Sequence, residues 1–267
     1  VAVMWAEHGD SGGRWKAALS PGPRLAALGR GLLELVLPPR SFDGEAALSP
    51  GLAVEAWNRV SFLDDPVCDG CGAAQPFDTG AVQLCPLCQA RPRAFVRARA
   101  ACVYDEHSRD LILKLKHADR TDLSGLFARW LSRAAAPLLD EADAVVPVPM
   151  HPGRLLRRRY NQAAEIARPL ARLSGTRYLA DALVRQRDTV SQGGKSAVGR
   201  RRNVAAAFAV PESRRHQVIG RKIVLVDDVL TTGATAEGCA RALKAAGAAQ
   251  VTLAVVARVT ERQARPI

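Results

Sequence analysis

The chain has 267 residues, enough for one ordinary domain and a smaller appendage. Its 48% hydrophobic and 24% charged content excludes a disordered chain, and no apolar run approaches the roughly 20 residues that span a bilayer. The formal charge of +12 rests mostly on arginine, with only six lysines; it fits either an acidic partner, such as nucleic acid or phosphorylated small molecules, or a base-composition bias.

Residues 1–23 are rich in Gly, Pro and Ser without a sustained period and are expected to form a disordered tail. They lack the basic, apolar and small-residue order of a secretory signal, which points to the cytoplasm and to no membrane insertion. Arg24 to Leu37 has helical spacing and stops at Pro38-Pro39. Ser41 to Asp65 has no clear period, and 24–66 is set apart as one segment. A cysteine-bearing module follows over 67–96, with turn-forming Gly70, Gly72, Pro76 and Gly80.

From Arg97 the texture changes, and 97–267 reads as one α/β domain. Strands are predicted over Ala98–Tyr104, Ala144–Val148, Lys222–Val226 and Val251–Ala257. Helices are predicted over Ser108–Leu115, Leu123–Leu139, Asn161–Leu173 and Thr235–Ala246, the last closed by Gly247. Thr176 to Pro211 is mixed, polar and rich in Arg and Gln. Strands alternating with helices imply a parallel sheet flanked by helices on both faces.

Four of the six cysteines stand as Cys68-x2-Cys71-x13-Cys85-x2-Cys88. Two close pairs in an intracellular chain read as metal ligands before disulfides. Four thiolates close a tetrahedral zinc site with no open position for catalysis, so structural Zn²⁺ is expected in a segment too small to fold on its own core. Cys102 and Cys239 lie in apolar or small-residue surroundings and read as inert buried thiols.

The segment Ile223-Val-Leu-Val226-Asp227-Asp228-Val-Leu-Thr231-Thr232-Gly233-Ala234-Thr235 places two acids and a Thr/Gly turn between a buried strand and a helix. Ligands of open α/β sheets collect beyond the carboxyl ends of strands. Such a turn aims backbone N–H groups at a phosphate, the helix N-terminus adds partial positive charge, and Gly233 permits close approach. If the strand continues through them, Asp227 and Asp228 point to opposite sides, suited to vicinal ribose hydroxyls with Mg²⁺ offsetting their charge.

This segment resembles the PRPP (5-phosphoribosyl-1-diphosphate) signature of type I phosphoribosyltransferases. The surrounding chain resembles the ComF/GntX family of competence-associated proteins. The resemblance is carried by Leu113-Lys-Leu-Lys116-His117, Val146-Pro147-Val148-Pro149-Met-His151, Arg159-Tyr160-Asn161-Gln162-Ala163 and Gln192-x7-Arg200-x-x-Asn203-x4-Phe208, in family order. It implies a type I phosphoribosyltransferase fold with a small N-terminal zinc ribbon. It also implies that Asp227 and Asp228, the catalytic pair, hold the ribose hydroxyls and that Thr231, Thr232, Gly233, Ala234 and Thr235 cradle the 5-phosphate. The turn after the Val146 strand, from Pro147, corresponds to the diphosphate loop, with Lys116 as a cationic contact. Arg154, Arg158, Tyr160, Asn161, Gln192, Arg200 and Asn203 fall where a hood over the second substrate is expected.

Two departures stand out. Many relatives carry a further ribbon upstream; Ser41-x-x-Gly44 and Ala53-x-x-Ala56-Trp57 occupy its cysteine positions, which implies a degenerate first ribbon within 24–66. The family usually has glycine where this chain has Arg159, so either the backbone there is not left-handed or the loop geometry differs. The resemblance implies phosphoribosyl transfer from PRPP with Mg²⁺ to an unidentified acceptor, linked to DNA uptake or DNA metabolism. A non-catalytic PRPP-sensing module, or a DNA-binding accessory protein meeting single-stranded DNA or a helicase-like partner, fits the same fold.

Overall fold

The computed structural model describes residues 52, 54–78, 80, 82–117, 120–186 and 207–260, with the side chains of 117 and 157 excepted. The expected tail, the Arg24–Leu37 helix, Ser41, Gly44, Ala53 and the hood residues Gln192, Arg200 and Asn203 lie outside the described residues. The described residues all fall in one compact unit.

In chain order the elements are helix α1 (Val54–Asn58), α2 (Pro86–Ala90), strand β1 (Ala98–Val103), α3 (Glu106–His117), α4 (Leu123–Ala134), α5 (Ala136–Leu139) and β2 (Ala144–Pro147). Next come α6 (Pro152–Arg158), α7 (Gln162–Ser174), β3 (Arg177–Tyr178), β4 (Val184–Arg185), β5 (Phe208–Ala209) and a 3₁₀ turn at Glu212–Gln217. Strand β6 (Lys222–Leu230), helix α8 (Ala234–Ala245) and strand β7 (Gln250–Arg258) follow.

Among the described residues five strands form one sheet in the order β1-β7-β6-β2-β3, every pair parallel. The expected parallel sheet is thus present. Its central strands read as unbroken apolar runs because both faces are covered. Ile223, Leu225, Val251, Leu253 and Val255 share a core with Ala236, Cys239, Ala240 and Leu243 of α8. The intervening Val224, Val226 and Ala254 are equally buried, and α4 and α7 pack on the sheet and on each other. Cys102 and Cys239 are fully buried; burial pushes the Cys102 thiol up to about 12.

The helix predicted over 123–139 is two helices. The chain breaks at Ala135, and Pro137 sits in the first turn of α5, where its missing N–H costs nothing. Strand β6 runs four residues past its predicted end at Val226, so both aspartates belong to it. Helix α6 was not predicted; its Leu155 and Leu156 are exposed, and it presents no apolar stripe to read.

The four-cysteine module lies along β1. Ala98 N–H donates to the Asp69 carbonyl at 2.8 Å, and Arg99 of β1 pairs with the Asp69 carboxylate at 2.9 Å. Gly72 has φ +68°, and a Cβ added there would stand 3.3 Å from the Ala100 backbone nitrogen. Only glycine allows both the turn and the approach.

Candidate functional site

The two aspartates diverge as strand geometry requires. Asp227 lines a small cavity of about 60 Å³ together with Leu230, Thr231, Thr232, Gly233, Ala234, Thr235 and Val255. Asp228 turns the other way, and its Oδ2 pairs with Lys116 Nζ of α3 at 2.7 Å. Burial, and then the charge of Asp228, push the Asp227 carboxyl up to about 7. Asp227 Oδ1 accepts the Asp228 N–H at 2.9 Å.

Beyond Leu230 the chain turns through Gly233 at φ 83° into α8. Among the described residues the N–H groups of Thr232 through Ala236 meet no acceptor; the first helical bond is Glu237 N–H to Gly233 O at 2.8 Å. Thr231 and Thr232 are exposed and Thr235 half-buried. A row of unpaired amides at the positive end of a helix, beside hydroxyls, is built to receive an anion.

The remaining sequence candidates fall around this turn. Pro147 is buried within β2, paired in register with Val226, and the loop after the strand begins beyond it. Arg159 closes α6 with φ 65° and ψ −17°, so the backbone is left-handed after all, in a residue that carries a Cβ. Among the described residues it is the only non-glycine with positive φ. Tyr160 donates its hydroxyl to the Leu115 carbonyl of α3. Asn161 caps α7 by accepting the Ala163 N–H at 3.1 Å and donates to the Val148 carbonyl at 3.0 Å. Arg154 and Arg158 are half-buried on α6.

The sequence reading missed the residues behind the turn. Arg93 Nη1 donates to the Thr232 carbonyl at 2.8 Å and to Glu237 Oε1 at 2.9 Å. Glu237 is 3% exposed and also receives Arg91 at 3.2 Å and Arg241 at 3.3 Å. A carboxylate so buried, in the first turn of a helix, requires such partners.

The sulfurs of Cys68, Cys71, Cys85 and Cys88 lie within 4.8 Å of one another, all buried. Cys71 and Cys85 Sγ are 3.8 Å apart, the edge of a tetrahedron whose metal–sulfur bonds are about 2.3 Å. Cys85 N–H donates to Cys68 Sγ at 3.2 Å, and Arg258 Nη2 donates to Cys71 Sγ at 3.6 Å. These donors would offset the excess negative charge of four thiolates, and the set fits a structural metal. A separate cavity of about 440 Å³ lies elsewhere among Trp57, Phe62, Trp130, Arg129 and Arg133.

The phosphoribosyl transferase domain family matches residues 159–267. The DNA utilization protein YhgH of Escherichia coli O6:H1 is 31% identical over 199 residues, 73% of this chain and 85% of that protein. The chain belongs to the ComF/GntX family. Competence protein F of Haemophilus influenzae is 29% identical over 72% of this chain and 85% of its own length. The glutamine PRPP amidotransferase of B. subtilis superposes on 51% of this chain and 25% of its own, at 23% identity and a TM-score of 0.33, too loose to add to these matches. This ComF/GntX member therefore joins a phosphoribosyltransferase fold to a four-cysteine module, and among the described residues no helix is long and apolar enough to cross a membrane.

Proposed function

We propose that this ComF/GntX member binds PRPP with Mg²⁺ and transfers its phosphoribosyl unit to an acceptor. The carrying observation is the open run of N–H groups from Thr232 to Ala236 at the end of β6, with Asp227 in the same cavity. The 5-phosphate takes those amides and the hydroxyls of Thr231, Thr232 and Thr235; Asp227 and Asp228 accept the ribose hydroxyls. Magnesium fits a site offering one or two carboxylates and substrate phosphates, and when bound it supplies charge for the departing diphosphate. Lys116, already at Asp228, stands where it can exchange that carboxylate for a diphosphate oxygen, with Pro147 ahead of the loop that follows β2. Arg154, Arg158, Tyr160 and Asn161, with Gln192, Arg200 and Asn203, would border the acceptor and exclude water from the electron-deficient C1. Zinc is the metal proposed for Cys68, Cys71, Cys85 and Cys88, consistent with their all-sulfur chemistry.

Calorimetry of the full chain with PRPP and Mg²⁺ tests this. Saturable, Mg²⁺-dependent heat that vanishes in the Asp227→Asn/Asp228→Asn variant is expected; equal binding by that variant refutes the site. Diphosphate release in a screen of nucleobases then separates transfer from sensing. The names of the relatives, a DNA utilization protein and a competence protein, support placing the activity in DNA uptake or use. A direct DNA-binding reading rests on the +12 charge. It predicts salt-sensitive single-stranded DNA binding that survives loss of the aspartates.

A further inference from the structure

Both ends of the phosphate turn are tied to the four-cysteine module. Arg93 leaves that module five residues after Cys88 and reaches the turn through its guanidinium. The same group holds the Thr232 carbonyl at 2.8 Å and Glu237 at 2.9 Å, with its side chain 13% exposed. A Cβ added to Gly233 would stand 2.9 Å from Arg93 Nη1, so the arginine also fills the space into which the turn could relax. Arg258 does the same at the other end. It donates to Cys71 Sγ at 3.6 Å, pairs in register with Leu230, and its neighbour Val259 donates to the Leu230 carbonyl at 3.0 Å.

We propose that Arg93 is a positioning residue for the phosphate turn, and that metal in the four-cysteine site governs anion binding at Thr231–Thr235 through it. A divalent ion held by four thiolates keeps two net negative charges, and Arg258 is a guanidinium placed to answer them at Cys71 Sγ. With metal bound, the Cys85–Cys88 segment from which Arg93 extends is fixed, and Arg93 clamps the Thr232 carbonyl, which keeps the amides from Thr232 to Ala236 converged on one point. Removing the metal frees Cys85 and Cys88, at the N-cap of α2 and within it, so Arg93 loses the anchored segment it extends from, the clamp loosens, and the amides scatter. The four-cysteine site thus does more than hold its own segment together. This inference rests on the phosphate reading of the turn for its binding consequence, though not for its mechanical one.

The test uses the full chain and three measurements: zinc content, PRPP affinity by calorimetry, and hydrogen exchange of the first bonded amides of α8, beginning at Glu237. Arg93→Met is compared with Arg91→Met, which loses a contact to Glu237 but none to the turn. The expected result is that Arg93→Met retains its zinc, exchanges those amides about tenfold faster and binds PRPP about tenfold more weakly. Arg91→Met should change neither, and zinc removal from the wild type should reproduce the faster exchange. Arg93→Met that is zinc-loaded yet unaltered in exchange and affinity overturns the proposal. If that variant fails to hold zinc, Arg93→Lys decides, because it keeps a cation at that position but not the fork that spans Thr232 and Glu237. A loaded Arg93→Lys with unchanged exchange also overturns it. Should wild type bind no PRPP, the phosphoribosyl reading falls while the exchange comparison still decides the clamp.

Discussion

Arg159 holds a left-handed backbone, φ 65°, while exposed at the C-cap of α6. A Cβ in that conformation costs about 1–2 kcal/mol, partly offset by the unfolded-state freedom a glycine would gain. Arg159→Gly should therefore stabilise the fold by roughly 1 kcal/mol and raise the melting temperature by about 2–4 °C; an unchanged or lower midpoint would contradict the strain. Asp227 makes a prediction with pH. Its carboxyl rises from 3.8 to about 7 through burial and the neighbouring Asp228. Across that window the folded chain holds a proton the unfolded chain has released, so stability falls as pH rises and levels off above about 7. Asp227→Asn removes the fall. Thermal melts should show the variant gaining more over wild type near pH 8 than near pH 4.5; the same gain at both would count against it.

Among the elements, α7 depends on the residue just before it. Asn161 caps its N-terminus and satisfies the Val148 carbonyl beyond β2, so Asn161→Ala should cost about 2 kcal/mol in denaturant unfolding. A loss below about 0.5 kcal/mol would mean that neither bond matters. The elements also show what could be read in advance. The β6 core, Ile223 to Val226, was legible from its apolar run, as was α8 from Thr235 onward. The last four residues of β6 were not, because two acids and a polar turn mask a strand that continues on backbone pairing with β7. The break at Ala135 was signalled by Pro137, a residue placed inside a single predicted helix. Asp227, Asp228 and the turn that carries Gly233 could be grouped as one segment from the sequence, since their spacing is local. Arg93 and Glu237 were missed for the opposite reason: 144 residues separate them, and neither sits in a pattern that points to the other.

At the scale of the molecule, the sheet and the cysteine module stand or fall together. Asp69, Arg99, Arg258 and Gly72 bind the module to β1 and β7 through charge pairs and direct backbone approach. Cys85→Ser should therefore lower the metal content and also the melting temperature of the sheet, by several degrees in a single cooperative transition. A second, separate transition with the main midpoint unmoved would show the module to be an independent appendage. The strand order carries a consequence for synthesis. β1 is completed at residue 103, yet among the described residues its only partner strand within the sheet is β7, which begins at residue 250. On the ribosome, β1 must wait with one side unpaired until residues 104–249 have been made. Its other side meets Ser61, Leu63 and Asp69, all made before it. An early-folding, metal-nucleated segment can shield that flank from neighbouring nascent chains until the final strand emerges.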